Sequence, residues 1–271
     1  MNIIVLVKQV PDPEKKVGMT EEGTVDRARS VPIMNPFDAY ALEAALTLKD
    51  KYRGKITVIT MGPPSAEEVL KEAVSMGADN VVLLSDKKMA ASDTLVTALT
   101  LSKAIEKIGD YDMVMCGMQA IDGDTAQVGP QIAERLGIPQ VTFVEEIDID
   151  EEMKAVFKRV IEGGYEMLCT SVPVRECPLL VTITNTAKKP RMPTLPGKFK
   201  ARKLQVPVWS LSDIEPEEDL HRKKYGMRGS PTRVKKIERP KIDKEPCRIF
   251  EGECAEEKVQ CLIKCSCLNS V

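Results

Sequence analysis

The segment QAIDGDTAQVGP, residues 119–130, follows an apolar run and precedes a short helical pattern. A strand-to-helix loop is where backbone amides at a helix start can meet phosphate groups. This one carries Asp122 and Asp124 but no lysine or arginine. A phosphate here would therefore rely on backbone N–H donors, not on a counter-charge. Gly123 and Gly129 let the chain come close to a ligand. Asp124 or Thr125 reads as the cap of the following helix, and both aspartates read as loop-shaping residues. The plainer alternative is a capped loop with no ligand. Neither GxGxxG nor GxxxxGKS/T occurs, so the dinucleotide fingerprint and the P-loop are both missing.

A second cluster lies at the other end of the chain. Cys247, Cys254, Cys261, Cys265 and Cys267 fall within 21 residues. The first four are candidate ligands for Zn²⁺ or an iron–sulfur cluster. Their spacing matches neither CxxC zinc pairs nor the ferredoxin run, so a reduced tail or a subunit contact competes with the metal reading. The only histidine is His221, and no GxSxG occurs. Histidine-based catalysis and an activated serine nucleophile are not expected.

Strands and helices must position the loop. Apolar, β-branched runs at 2–8, 55–61, 80–84, 111–116 and 140–146 read as strands. Between them fall helices at 36–52, 65–76, 93–108 and up to 136. Asn35-Pro36 opens the first helix, Ser65 with Glu68 forms a capping box for the second, and Ser92 or Asp93 caps the third. Such alternation predicts an α/β fold: a parallel, Rossmann-like sheet covered by helices. Residues 155–161 and 165–172 flank Gly163-Gly164 as a hairpin, and 179–184 is a further strand. Beyond residue 190, prolines and lysines without clear periodicity predict an extended arm.

The 271 residues carry 39 basic and 41 acidic side chains, a net charge of −2. That balance gives no reason to expect nucleic-acid or membrane-surface binding. No apolar run reaches about 18 residues, so membrane insertion is not expected. The N-terminal MNIIVLVKQVPD reads as a buried strand, not a signal peptide, and a cytoplasmic location follows.

Several segments, taken in order, resemble the β subunit of electron transfer flavoproteins. They are VLVKQVPD at 5–12, NPFDAYALEAAL at 35–46, MGPP at 61–64, EAVSMGAD at 72–79 and QAIDGDTAQVGP itself. IEGGYEML at 161–168, KPRMPTLPGKFKA at 189–201 and GMRGSPTRVKK at 226–236 complete the set. The resemblance implies an adenine nucleotide alpha hydrolase-like α/β domain over residues 1–188, with an added β-hairpin. A recognition loop and C-terminal arm packing on an α subunit span 189–246, and the Cys-rich tail, 247–271, lies outside the resemblance.

The resemblance also implies function. Such a subunit pairs with an α subunit and passes flavin electrons to or from a flavin-dependent dehydrogenase, acting on acyl-CoA or a hydroxyacid. Simpler members hold a structural AMP. Bifurcating members hold FAD, oxidise NADH and also serve ferredoxin or flavodoxin. The spellings IDGDTAQVGP, AASDTLVT at 90–97 and GSPTRV resemble the bifurcating type, so FAD is expected over AMP. A non-redox nucleotide sensor or scaffold is the remaining alternative.

Carried onto this chain, the nucleotide contacts are Leu6, Asn35, Pro36, Phe37, Asp38, Met61, Gly117, Met118, Gln119, Ala120, Ile121, Asp122, Gly123, Asp124, Thr125, Ala126, Gln127 and Val128. Asp93 and Thr94 fall at the flavin end. Asn35 and Asp38 can also be read as helix caps, and Thr94 as an ordinary first-turn residue. Leu195, between two prolines, matches the anchor that docks in the dehydrogenase, surrounded by Lys188, Lys189, Arg191, Lys198 and Lys200. A linker leucine packed on its own domain is the alternative.

Overall fold

The computed structural model describes residues 1–12, 32–216, 225–233 and 254–267, with side chains in the last segment through residue 263. Two compact units emerge, Met1–Lys235 and Lys236–Val271. In the second, the described element is a helix, Ala255–Cys267.

Among its described residues, the first unit is built on a nine-stranded sheet. Strand β1 (Asn2–Leu6) lies at its centre. On one side it pairs in parallel with β4 (Lys55–Met61), which pairs with β5 (Asn80–Leu84) and then the short β11 (Val208–Trp209). On the other side it pairs with β6 (Met113–Gly117), followed by β10 (Leu179–Ile183) and β7 (Gln140–Ile149), all parallel. Strands β8 (Ala155–Ile161) and β9 (Gly164–Cys169) extend the sheet antiparallel. Gly163, at φ +81°, makes the turn between them. A separate two-stranded ribbon pairs β2 (Gln9–Pro11) with β3 (Pro32–Met34); the sequence reading missed it.

Side-chain alternation divides the core between two faces. Ile3, Val5 and Val7 pack with Leu42 and Leu46 of α1 (Pro36–Tyr52) and with Val69 and Leu70 of α2 (Glu67–Met76). Ile4 and Leu6 pack with Val96 and Leu101 of α3 (Thr94–Ile108) and Ile132 of α4 (Val128–Leu136). The chain winds outward from β1 to β5 using one face, then returns to β6 using the other. Strand order therefore reverses between β1 and β6, where open α/β sheets place ligands beyond the strand ends.

Two local readings need correction. Ser65 and Glu68 form no capping box. Residues Pro64–Ala66 make a 3₁₀ turn, α2 begins at Glu67 without a side-chain cap, and the Ser65 hydroxyl donates to Gln9 Oε1 at 3.1 Å. Residues 190–200 are not uniformly extended, because Leu195–Lys203 is a helix, α5, capped by Thr194. Its local pattern is weak because it buries little; only Ala201 is buried.

Candidate functional site

Asn35 and Asp38 flank the first turn of α1, above the reversal point. Asn35 is fully buried, and its side chain does not cap α1. Instead Nδ2 donates to the Gln119 carbonyl at 2.9 Å, and Oδ1 accepts the Ile121 amide at 3.2 Å. Asp38 accepts the Lys8 amide at 2.8 Å and the Gly117 amide at 3.0 Å, one on each carboxylate oxygen. Burial pushes its carboxyl up to about 7, against the lowering effect of Lys8, Asn35 and Gly117. Both side chains thus bind the protein's own backbone. Pro36 and Phe37 complete the turn, and a Cβ on Gly117 would meet Asp38 Oδ1 and Phe37 Cβ at 2.6 Å. Glycine at 117 serves this close approach.

From Gly117 the loop runs across the sheet end. The Met118 amide donates to Ile183 O at 2.9 Å, and Ala120 O accepts the Gly123 and Asp124 amides. Lys8 Nζ meets both oxygens of Asp122 at 2.6 and 2.7 Å. Gln119 Nε2 donates to Asp124 Oδ1 at 3.0 Å. The aspartates therefore shape the loop, as the sequence suggested, but neither caps α4. The N-cap is Gln127, which has no side-chain cap bond.

Asp124 and Ala126 hold φ of +47° and +53°, and Gln127 turns back to αR. Non-glycine residues rarely adopt positive φ, and a left-handed residue beside a right-handed one turns successive N–H groups inward as an anion-binding concavity. Among the described residues, the amides of Thr125, Ala126 and Gln127 donate to no acceptor. Thr94 Oγ1 donates to Gln127 Oε1 at 2.9 Å, joining the N-termini of α3 and α4. Both helix dipoles then present their positive ends at one place. A Cβ at Gly123 meets nothing within 4 Å, so the chain itself does not require glycine there. These features fit the phosphates of an adenine nucleotide.

The remaining candidates divide. Leu6 is buried beneath α3, and Met61 packs against the same cluster. Val128 opens α4. Asp93 has both oxygens engaged, Oδ1 by the Val96 amide at 3.1 Å and Oδ2 by Thr232. Sequence reasoning missed Lys8, Ser230 and Thr232, whose partners lie more than 100 residues away and leave no local signal.

The segment around Leu195 is stapled at two points. Glu43, a helix residue with a side chain only 1% exposed, takes Arg191 on both carboxylate oxygens and Lys188 on Oε1. Burial alone would raise its carboxyl, but the Arg191 and Lys188 donors hold it below the ordinary value. Downstream, the Thr194 amide donates to Ser75 O at 3.1 Å, and the Cβ position of Gly197 abuts that same carbonyl. Between and beyond the staples, Met192, Leu195 and Phe199 are 82, 73 and 65% exposed. Leu195 does not pack on its own domain. Two of the five surrounding cations, Lys188 and Arg191, are spent on Glu43. Lys189, Lys198 and Lys200 have no ion-pair partner among the described residues.

Cys254 and Cys261 are exposed, and Cys247, the side chain of Cys265, and His221 lie outside the described residues. No group of three or more metal-binding side chains gathers among the described residues. Nor is any described helix long and apolar enough to cross a membrane.

The electron transfer flavoprotein domain model matches residues 22–214. The chain is 44% identical over 265 residues to the electron transfer flavoprotein subunit beta of Thermoanaerobacterium thermosaccharolyticum, covering 97% of each. It is 44% identical over 236 residues to the corresponding subunit of Clostridium acetobutylicum, covering 87% of each. It is equally similar, over 86% of each chain, to the acryloyl-CoA reductase electron transfer subunit gamma of Anaerotignum propionicum.

Proposed function

The chain belongs to the electron transfer flavoprotein family as a β subunit, and from that premise we propose that it works in a bifurcating complex. Paired with an α subunit, it carries electrons between NADH, ferredoxin or flavodoxin and a flavin-dependent dehydrogenase, through an FAD held at the 117–128 loop. The observation that carries this placement is the pair of helix N-termini joined by Thr94 and Gln127, beside unpartnered amides at 125–127. A bound flavin supplies the one- and two-electron chemistry. The chain binds and orients it: Asn35 and Asp38 fix the loop to the strand ends, Lys8 neutralises Asp122, and the loop amides receive phosphate. Amides recognise the phosphates of AMP as readily as those of FAD. The preference for FAD rests on the spelling of 90–97, 119–130 and the arm.

For the dehydrogenase, an acyl-CoA substrate class is supported by the acryloyl-CoA reductase relative. Leu195 serves as the apolar anchor, with Met192 and Phe199 beside it. Because the Glu43–Arg191 and Ser75–Thr194 staples fix the segment beforehand, docking loses little entropy. The functional test is ferredoxin reduction by NADH with the purified heterodimer and its dehydrogenase. It should proceed only when an acyl-CoA acceptor is present. Ferredoxin reduction independent of that acceptor, or none with it, refutes bifurcation.

A further inference from the structure

The single turn Gly226–Gly229 and the residues after it rest on the loop that leads into α3. The Met227 amide donates to Ala90 O at 3.2 Å. Gly226 holds φ +59°, with its Cβ position against the Lys88 carbonyl, so only glycine fits. The buried Ser230 hydroxyl accepts the Asp93 amide and donates to Gly226 O, both at 2.9 Å. Thr232 gives Asp93 Oδ2 its amide at 3.1 Å and its hydroxyl at 2.8 Å. A helix cap needs only Oδ1, which takes the Val96 amide. The second oxygen is devoted to a segment 139 residues away. One residue along, Thr94 reaches Gln127 in the nucleotide loop.

We propose that Asp93 is a positioning residue that couples the arm to the nucleotide loop through the first turn of α3, so that nucleotide binding and arm docking reinforce each other. This rests on the placement of phosphates at residues 123–128. The reason is that both partners grip the same short turn. A nucleotide that orders Gln127 and Thr94 leaves less motion for the arm to quench, and a docked arm does the same for the nucleotide. Linkage then requires the two effects to be equal in size.

The test uses the heterodimer with full-length chains, and FAD and AMP as probes. The S230A/T232V double variant leaves Asp93 and its Val96 cap in place. In the unsubstituted complex, nucleotide should slow hydrogen exchange at the Thr232 amide about tenfold. The double variant should bind the same nucleotide weaker by about that factor, so that nucleotide raises its thermal stability less than it raises that of the unsubstituted complex, whatever the nucleotide-free protein loses from the orphaned Asp93 amide. D93N, which turns an amide nitrogen toward one of its donors, should lose the coupling too. A purely structural role would lower stability without any nucleotide dependence. Undiminished nucleotide affinity in the double variant, or Thr232 exchange indifferent to bound nucleotide, overturns the coupling while leaving the site intact. An unsubstituted complex in which neither probe protects residues 123–128 removes the site itself, and the coupling with it.

Discussion

The Asp38 carboxylate accepts the Gly117 amide at 3.0 Å, riveting the start of α1 to the end of β6 where strand order reverses. Its other oxygen takes the Lys8 amide at the end of β1. The acid that the family resemblance nominates as a ligand contact is thus committed to holding the crevice open in one shape.

Replacing Asp38 by Asn turns an amide nitrogen toward a backbone donor. One buried N–H then loses its acceptor, which costs about 1–3 kcal/mol. The pH dependence has a definite sign. Because burial raises the folded carboxyl to about 7 from 3.8, its contribution is greatest below about pH 4 and fades as pH rises through 7. The stability difference between unsubstituted protein and D38N should therefore shrink across that window. Urea unfolding at pH 4, 5.5 and 8 measures it; a difference that grows with pH contradicts the burial argument.

Glu43→Gln removes the charge that holds Arg191 and Lys188. Arg191 keeps Asp50 as a partner, so the expected loss is moderate, about 1–3 kcal/mol. Since the Glu43 carboxyl is held below its ordinary value, its contribution is present at neutral pH and lost as pH falls through the acid range. E43Q should flatten that acid limb. It should also raise the KM for the dehydrogenase, because a loosened 191–200 segment must be ordered on docking.

Leu195→Ala separates docking from folding. The side chain is exposed, so stability should stay within about 0.5 kcal/mol. Truncating a docking anchor costs about 2 kcal/mol or more in association. Steady-state electron transfer with the dehydrogenase should show a KM raised more than tenfold, with NADH oxidation by an artificial acceptor unchanged. An unaltered KM assigns the anchor elsewhere, with Met192 and Phe199 the next to test.

Gly123 offers the sharpest probe of the loop. A Cβ there meets no protein atom, and the residue's φ is not in the left-handed region. Gly123→Val should fold normally yet retain less nucleotide through purification, since the added atoms occupy the space the ligand needs. Full nucleotide content in G123V, read by extraction and chromatography, would displace the phosphates from this loop.

Strands β1, β4, β5 and β6 were legible because each is a short apolar run with both faces buried, and the helices between them because Asn35-Pro36 and Asp93 mark their starts. The loop's position was legible too, directly after β6. The roles of its neighbours were not. Asn35 has the look of a cap but spans to Gln119, and Asp93 is the legible cap but also holds Thr232, which no local pattern signals. Pairing across more than 80 residues depends on topology, which no local period encodes. Ser65 misled for a related reason: its spacing to Glu68 satisfies the capping pattern, but the two prolines before it impose a 3₁₀ turn.

Nucleotide content of the purified αβ heterodimer bears most directly on the proposal that this subunit holds a redox-active flavin. Acid extraction, chromatography and protein quantitation should give two FAD and no AMP per heterodimer. One FAD with one AMP would contradict the bifurcating assignment, and a heterodimer with no flavin would contradict electron transfer altogether.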